Sequence, residues 1–227
     1  MNYIYTYYSF GGKYVPSSLF MKMATISVAS LRSVTKGKIE LYTDKESVSY
    51  FHGIFGAEEI IVCDYSHFNI DSRYWNFAKI LTYDQQFFPF LHVDFDTFFM
   101  PDFSVPDADI VTEKIRDYSY SRRIAKHGYT NLARPTSLIC SGLIGCRSDK
   151  ALQLFHQNAD HAVQRCRKSL LVGDLERISI EEYAFSQLAE QTDLVVRELD
   201  KRYFAHWQGG NKEERFGKII DMLYKQF

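Results

Sequence analysis

Along the first hundred residues the apolar positions switch between two periods. Asn2–Tyr8 is rich in Tyr and Ile and reads as a strand, and Gly11-Gly12 follows as a turn. Leu19, Met23, Ile26 and Ser30 then recur at helical spacing, which predicts a helix from a Ser18 cap toward Val34, stopped by Lys36-Gly37. Ile39, Leu41 and Thr43 share one face of a strand over Lys38–Thr43. Asp44 is placed to cap a short helix through Phe55, which Gly56 closes. Glu59–Cys63 reads as a third strand. A helix from about Arg73 to Gln85 and a fourth strand over Phe87–Val93 complete the series, with Phe77, Ile80, Leu81 and Phe88 as core candidates.

Strands alternating with helices imply a parallel sheet flanked by helices. Ligands of such sheets bind beyond the C-terminal strand ends. The second half of the chain is less regular. Ala108–Glu113 reads as a strand, and Ser137–Cys146 as a strand broken by Gly142. An amphipathic helix is expected over Asp149–Arg167, another opens at the capping-box pattern Ser179-x-x-Glu182, a late strand covers Leu194–Leu199, and the tail after Gly217 is a final helix. Between them Arg116–Pro135 is polar and without period. So long a loop inside a compact domain reads as a functional cover or a mobile segment. Its Arg122, Arg123, Lys126, His127 and Arg134 suit a lid or an acidic acceptor.

Length, 227 residues, and a 46% hydrophobic content fit one α/β domain with a substantial core. A net charge of -1 argues against a nucleic-acid binder. The sequence shows neither an apolar run long enough to span a bilayer nor a basic-then-apolar leader, so a cytoplasmic protein is expected. The four cysteines, Cys63, Cys140, Cys146 and Cys166, lack metal-ligand spacing and read as reduced thiols.

The chemistry concentrates in His92-Val93-Asp94-Phe95-Asp96, at the end of the fourth strand. Two carboxylates two residues apart point to one side. Their mutual repulsion inside an apolar run calls for a positive partner, and a divalent metal holding phosphate oxygens is the natural one. Far downstream, His206-Trp207-Gln208-Gly209-Gly210-Asn211-Lys212 offers an imidazole ligand, two glycines whose backbone N–H groups can approach phosphate, and a cation.

A strand ending in D-x-D followed by a distant His-x-x-Gly-x-x-Lys resembles the GT-A glycosyltransferases, most closely those of the family 8 type. The resemblance runs in order from the first strand to about Lys212. It implies a single Rossmann-like GT-A domain over 1–227: a mostly parallel sheet with a second small sheet segment, a nucleotide-binding half of about 1–100 and an acceptor-side half of about 101–227. It also implies a metal, Mn²⁺ or Mg²⁺, on Asp94, Asp96 and His206, with Gly209, Gly210 and Lys212 on the diphosphate of a nucleotide sugar, most naturally a UDP-sugar. Ser141-Gly142 matches the small-residue turn where acceptor and sugar meet. Thr6 and Tyr7 fall near the base, and Asp44 near the nucleotide pocket. Lys79 corresponds to a basic residue that neutralises the D-x-D pair or the sugar phosphate, with Arg73 a second candidate.

Glu181 and Glu182 match an acidic site at a helix start that faces the donor sugar. The capping box assigns Glu182 to the backbone, leaving Glu181 as the freer carboxylate. The sequence departs from the family pattern where Glu213-Glu214 follow Lys212 in place of Pro-Trp, and where Tyr5-Thr6-Tyr7-Tyr8-Ser9 ends the first strand in place of a Thr-Ser-Asp-like signal.

The implied reaction is metal-dependent sugar transfer to a glycan, lipid-linked or protein hydroxyl, with retention of configuration. Three other readings compete. An aspartyl-nucleophile phosphatase also uses D-x-D, but it needs Thr where Phe98 stands and normally opens the chain with the motif. A nucleotidyltransferase would show a Gly-rich first loop with a Lys, of which Gly11-Gly12-Lys13 is a thin version. A non-enzymatic glycan- or nucleotide-binding module would have no need of the full Asp94, Asp96, His206 and Lys212 set.

Overall fold

The computed structural model describes residues 1–68, 76–117, 137–140, 142–157, 181–182, 186, 190, 193–207 and 211–226. Seven strands form one sheet: β1 (Asn2–Tyr7), β2 (Ile39–Thr43), β3 (Ile60–Val62), β4 (Phe90–Val93), β6 (Ile110–Thr112), β9 (Leu143–Cys146) and β10 (Val196–Glu198). Their order is β10-β6-β9-β4-β1-β2-β3. Every pairing is parallel except those of β9, which runs antiparallel to both β4 and β6. The expected α/β architecture with a mostly parallel sheet is therefore present. Strand order reverses between β4 and β1, and their C-terminal ends open the crevice where such sheets take ligands.

Side-chain alternation along the strands feeds two cores. Tyr3, Tyr5, Leu41, Leu91 and Val93 pack on one face with Ala24, Val28 and Leu31 of helix α1 (Ser18–Val34). Ile4, Tyr42 and Phe90 pack on the other with Phe77, Ile80, Leu81 and Tyr83 of helix α3 (Phe77–Asp84). Helix α1 is capped by Ser17, one residue before the expected cap, whose hydroxyl accepts from the Phe20 N–H at 3.1 Å. Its small residues let it lie close to the sheet. Ser27 hydrogen-bonds the Tyr5 hydroxyl at 3.0 Å, and Ser30 Oγ accepts from the Phe99 N–H at 3.1 Å.

Two small antiparallel sheets sit beyond the main one. Strands β5 (Thr97–Phe99) and β11 (Phe204–His206) pair with Thr97 opposite His206. Strands β7 (Ile115–Asp117) and β8 (Ser137–Ile139) pair at the base of the long polar loop, whose residues 118–136 lie outside the described set.

Several expected boundaries shift. The fourth strand begins at Phe90, and Phe87 and Phe88 are 80% and 70% exposed, so Phe88 is not a core residue. Pro89 sits between them and the ladder and has no N–H to donate. The expected strand over Ser137–Cys146 is two strands in different sheets, separated at Gly142, and Cys140 and Cys146 do not share one. The helix expected through Phe55 is a single turn, α2 (Val48–Phe51). The final helix runs from Lys212 to Tyr224 and so starts ahead of Gly217, after which it was expected. Among the described residues no helix is long and apolar enough to cross a membrane.

Candidate active site

Asp94 and Asp96 follow directly on β4, which delivers them to the crevice. The backbone then turns tightly: Thr97 N–H bonds back to the Asp94 carbonyl at 3.0 Å, and β5 begins. Pairing of β5 with β11 carries His206 to the same spot, and the Trp207 N–H donates to the Asp96 carbonyl at 2.9 Å. His206 Nε2 comes to rest 3.1 Å from Asp96 Oδ1. Ligand atoms of Asp94, Asp96 and His206 all lie within 4.8 Å of one another. Two carboxylates and an imidazole so grouped fit a divalent cation.

Two lysines complete the charge balance. Lys79 projects from α3 and is 6% exposed, with Nζ 2.5 Å from Asp94 Oδ1 and 3.6 Å from Glu181 Oε2. Lys212, first residue of the C-terminal helix, pairs with Asp96 Oδ2. Burial works against the charge on Lys79, but Asp94 and Glu181 outweigh it and raise the pKa. Burial likewise works against ionised Asp96, yet His206 and Lys212 hold it down at about 2. For Asp94 burial wins over Lys79 and the pKa rises. Burial would lower His206, but Asp96 and Glu113 raise it to about 10. The imidazole and the lysines supply positive charge that the carboxylates require.

The remaining expected residues divide into three groups. Thr6 and Tyr7, at the end of β1, line a cavity of about 440 Å³ together with Phe20, Lys79, Asp94, Asp96 and Lys212. Thr6 Oγ1 is buried with no hydrogen-bond partner among the described residues. Tyr7 donates its hydroxyl to the Tyr14 carbonyl at 2.9 Å. Asp44 lines an adjoining cavity of about 410 Å³. Its carboxylate is held by the Ser9 N–H at 2.9 Å, the Ser9 hydroxyl at 2.6 Å and the Ser47 hydroxyl, so it also shapes the β1 and β2 ends.

Glu181 lies 1% exposed behind the cavity, accepting from the Tyr83 hydroxyl; burial raises it to about 7 against the pull of Lys79. It is thus a tethered carboxyl group, held by Tyr83 and Lys79. Glu182 is half-buried, and its carbonyl accepts from Ser186 Oγ at 2.6 Å. Gly142 stands against His206 and Glu113. Ser141, Gly209 and Gly210 lie outside the described residues, as do Arg73 and the basic residues between 118 and 136.

Three neighbours escaped the sequence reading. Glu113 Oε2 sits 2.6 Å from His206 Nδ1. Its signal was an acidic residue at the C-terminal end of an apolar strand, the placement that singled out Asp94. Tyr83 carried no signal beyond its helical spacing. His92, on β4, is buried with both ring nitrogens unpartnered among the described residues and Nδ1 3.9 Å from Asp94 Oδ1. Burial and Lys79 push its imidazole well below the usual range.

A family model described as a family of unknown function, DUF6734, matches residues 11–221. A search of the curated proteins by sequence finds no match. Solved structures do match. A galactosyltransferase, LgtC, in complex with donor and acceptor sugar analogues superposes with a TM-score of 0.56 at 12% identity, covering 100% of this chain and 96% of that one. An active-site mutant of LgtC gives 0.50 at 11% identity, over 89% and 74%. At that identity the likeness establishes the fold, which is the GT-A fold.

Proposed function

We propose that this chain, which belongs to the DUF6734 family, transfers a sugar from a nucleotide diphosphate sugar, in the first instance a UDP-sugar, to an acceptor hydroxyl. The observation that carries this reading is the convergence of Asp94, Asp96, Lys79 and Lys212 on one cavity at the C-terminal strand ends, with His206 grouped against the two carboxylates. LgtC, whose fold the chain shares, is a galactosyltransferase described with donor and acceptor sugar analogues, which supports the same class of substrate here.

Asp94, Asp96 and His206 would hold a divalent ion, Mn²⁺ or Mg²⁺, which when bound supplies Lewis-acid stabilisation of a departing diphosphate. Lys212 is placed to leave Asp96 for a phosphate oxygen, helped by its position at a helix N-terminus. Lys79 neutralises Asp94 from the α3 side and keeps that carboxylate aimed at the cavity. Thr6 and Tyr7 form part of the donor-side wall, and the adjoining cavity beside Asp44 offers room for the nucleoside. Glu181, held by Tyr83 and Lys79, is the carboxyl group nearest the sugar side, with Glu182 beside it, as the family 8 resemblance implies. That resemblance also favours retention of configuration.

The test is donor hydrolysis and UDP binding with and without Mn²⁺. Mn²⁺-dependent UDP binding with slow release of sugar from a UDP-sugar is expected. Asp94→Asn and Asp96→Asn should remove both, and retention of full metal-dependent transfer by those variants would overturn the reading. A bound UDP with no turnover of any UDP-sugar would favour the non-enzymatic module instead.

A further inference from the structure

We infer that Glu113 and Gly142 are positioning residues that fix the His206 ring as a metal ligand; the inference rests on the assignment of Asp94, Asp96 and His206 as the metal set. Imidazole has two nitrogens and a rotatable ring, so a histidine ligand is useful only if one nitrogen is committed elsewhere. Here Nδ1 lies 2.6 Å from Glu113 Oε2 and Nε2 lies 3.1 Å from Asp96 Oδ1. A proton on Nδ1 donated to Glu113 leaves Nε2 as the nitrogen that faces the metal set. Glu113 is itself fixed: it directly follows β6, its N–H donates to the Leu143 carbonyl at 2.8 Å, and Cys140 Sγ approaches Oε2 at 3.4 Å.

Gly142 supplies the other wall. A β-carbon there would clash with Cε1 and Nδ1 of the His206 ring, and would lie 2.8 Å from Glu113 Oε2. The ring therefore occupies the space a side chain would take. The carbonyl of the same glycine accepts the Asp94 N–H at 3.0 Å, so one residue seats a carboxylate ligand through its backbone and the imidazole through its missing side chain. This gives Gly142 a role distinct from contact with acceptor or sugar.

Mn²⁺ affinity, read by electron paramagnetic resonance without any nucleotide, tests the inference, with circular dichroism and melting to confirm folding. Glu113→Ala should weaken Mn²⁺ binding about 10- to 100-fold, the usual cost of losing a ligand's hydrogen-bond partner. Glu113→Gln keeps an acceptor for Nδ1–H and should recover most of that loss. Gly142→Ala should weaken Mn²⁺ at least as far as Glu113→Ala; if it does not fold, the two Glu113 variants decide alone. Asp94→Asn is the reference. Loss of affinity in Asp94→Asn but not in Glu113→Ala overturns the positioning role and leaves the metal set standing. Unchanged affinity in both removes the metal set, and this inference with it.

Discussion

Lys79 reaches from the first turn of α3 to Asp94, Nζ to Oδ1 at 2.5 Å, and is nearly excluded from solvent. A lysine so placed is structural as well as electrostatic, because its removal leaves Asp94 and Glu181 without their shared counter-charge. Lys79→Ala should therefore destabilise the fold by about 3–5 kcal/mol in urea denaturation, the usual result of breaking one side of a buried pair. Lys79→Arg should retain much of the stability. A loss below 1 kcal/mol on Lys79→Ala would mean that water reaches the pair.

Metal binding should itself stabilise the protein. At a hundred times its dissociation constant, Mn²⁺ should add about 2.7 kcal/mol, seen as a rise in melting temperature. Asp94→Asn combined with Asp96→Asn should abolish that rise. An equal rise in the double variant would place the ion elsewhere.

Glu181 gives stability a pH dependence. Burial holds its pKa at about 7, above the ordinary 4.5, so the folded state keeps a proton that the unfolded chain has released. Stability then falls as pH rises through the window from 4.5 to about 7 and levels off above it. The drop is on the order of 3 kcal/mol at most. Denaturation of wild type and Glu181→Gln at pH 5 and pH 8 isolates it: the variant should lack this part of the slope. The same slope in both would assign it to another group.

His92 is a buried ring with neither nitrogen paired among the described residues, packed edge-on against Tyr83 with centroids 5.1 Å apart. His92→Leu removes the unsatisfied nitrogens and should raise stability by about 1–3 kcal/mol. If stability rises while Mn²⁺ affinity drops, the ring serves Asp94, 3.9 Å away, when the site is loaded. A loss of stability would show that the nitrogens are paired in solution.

Period and punctuation made the main sheet readable. Repeated strand and helix signals gave its parallel β4-β1-β2-β3 half, and an apolar run ending in Asp94-Phe95-Asp96 marked the crevice. The small sheet of β5 and β11 was not legible, because three-residue strands such as Thr97–Phe99 and Phe204–His206 are too short to show a period of two. That sheet is nonetheless what joins His206 to the D-x-D. The start of the C-terminal helix was missed because Asn211, at φ 58°, is an unusual cap, and Glu213-Glu214 stood out only as a departure from the family's Pro-Trp rather than as an acidic first helical turn. Glu113 carried no motif of its own, and Gly142 was matched only to a turn facing acceptor and sugar; their place beside His206 comes from the antiparallel insertion of β9 between β4 and β6, a pairing that sequence spacing does not encode.

The β5–β11 ladder also makes the site a test of the chain's integrity. The residues that could hold a metal come from both sides of a long intervening stretch, so an ion shared by Asp96 and His206 would act as a reversible cross-link that closes one large loop. Closing such a loop removes freedom mainly from the unfolded chain. A slip of one residue in this ladder would present Ala205 or Trp207 to the carboxylates and forfeit the cross-link. The ion would thus act as a clasp that rewards only the correctly threaded chain.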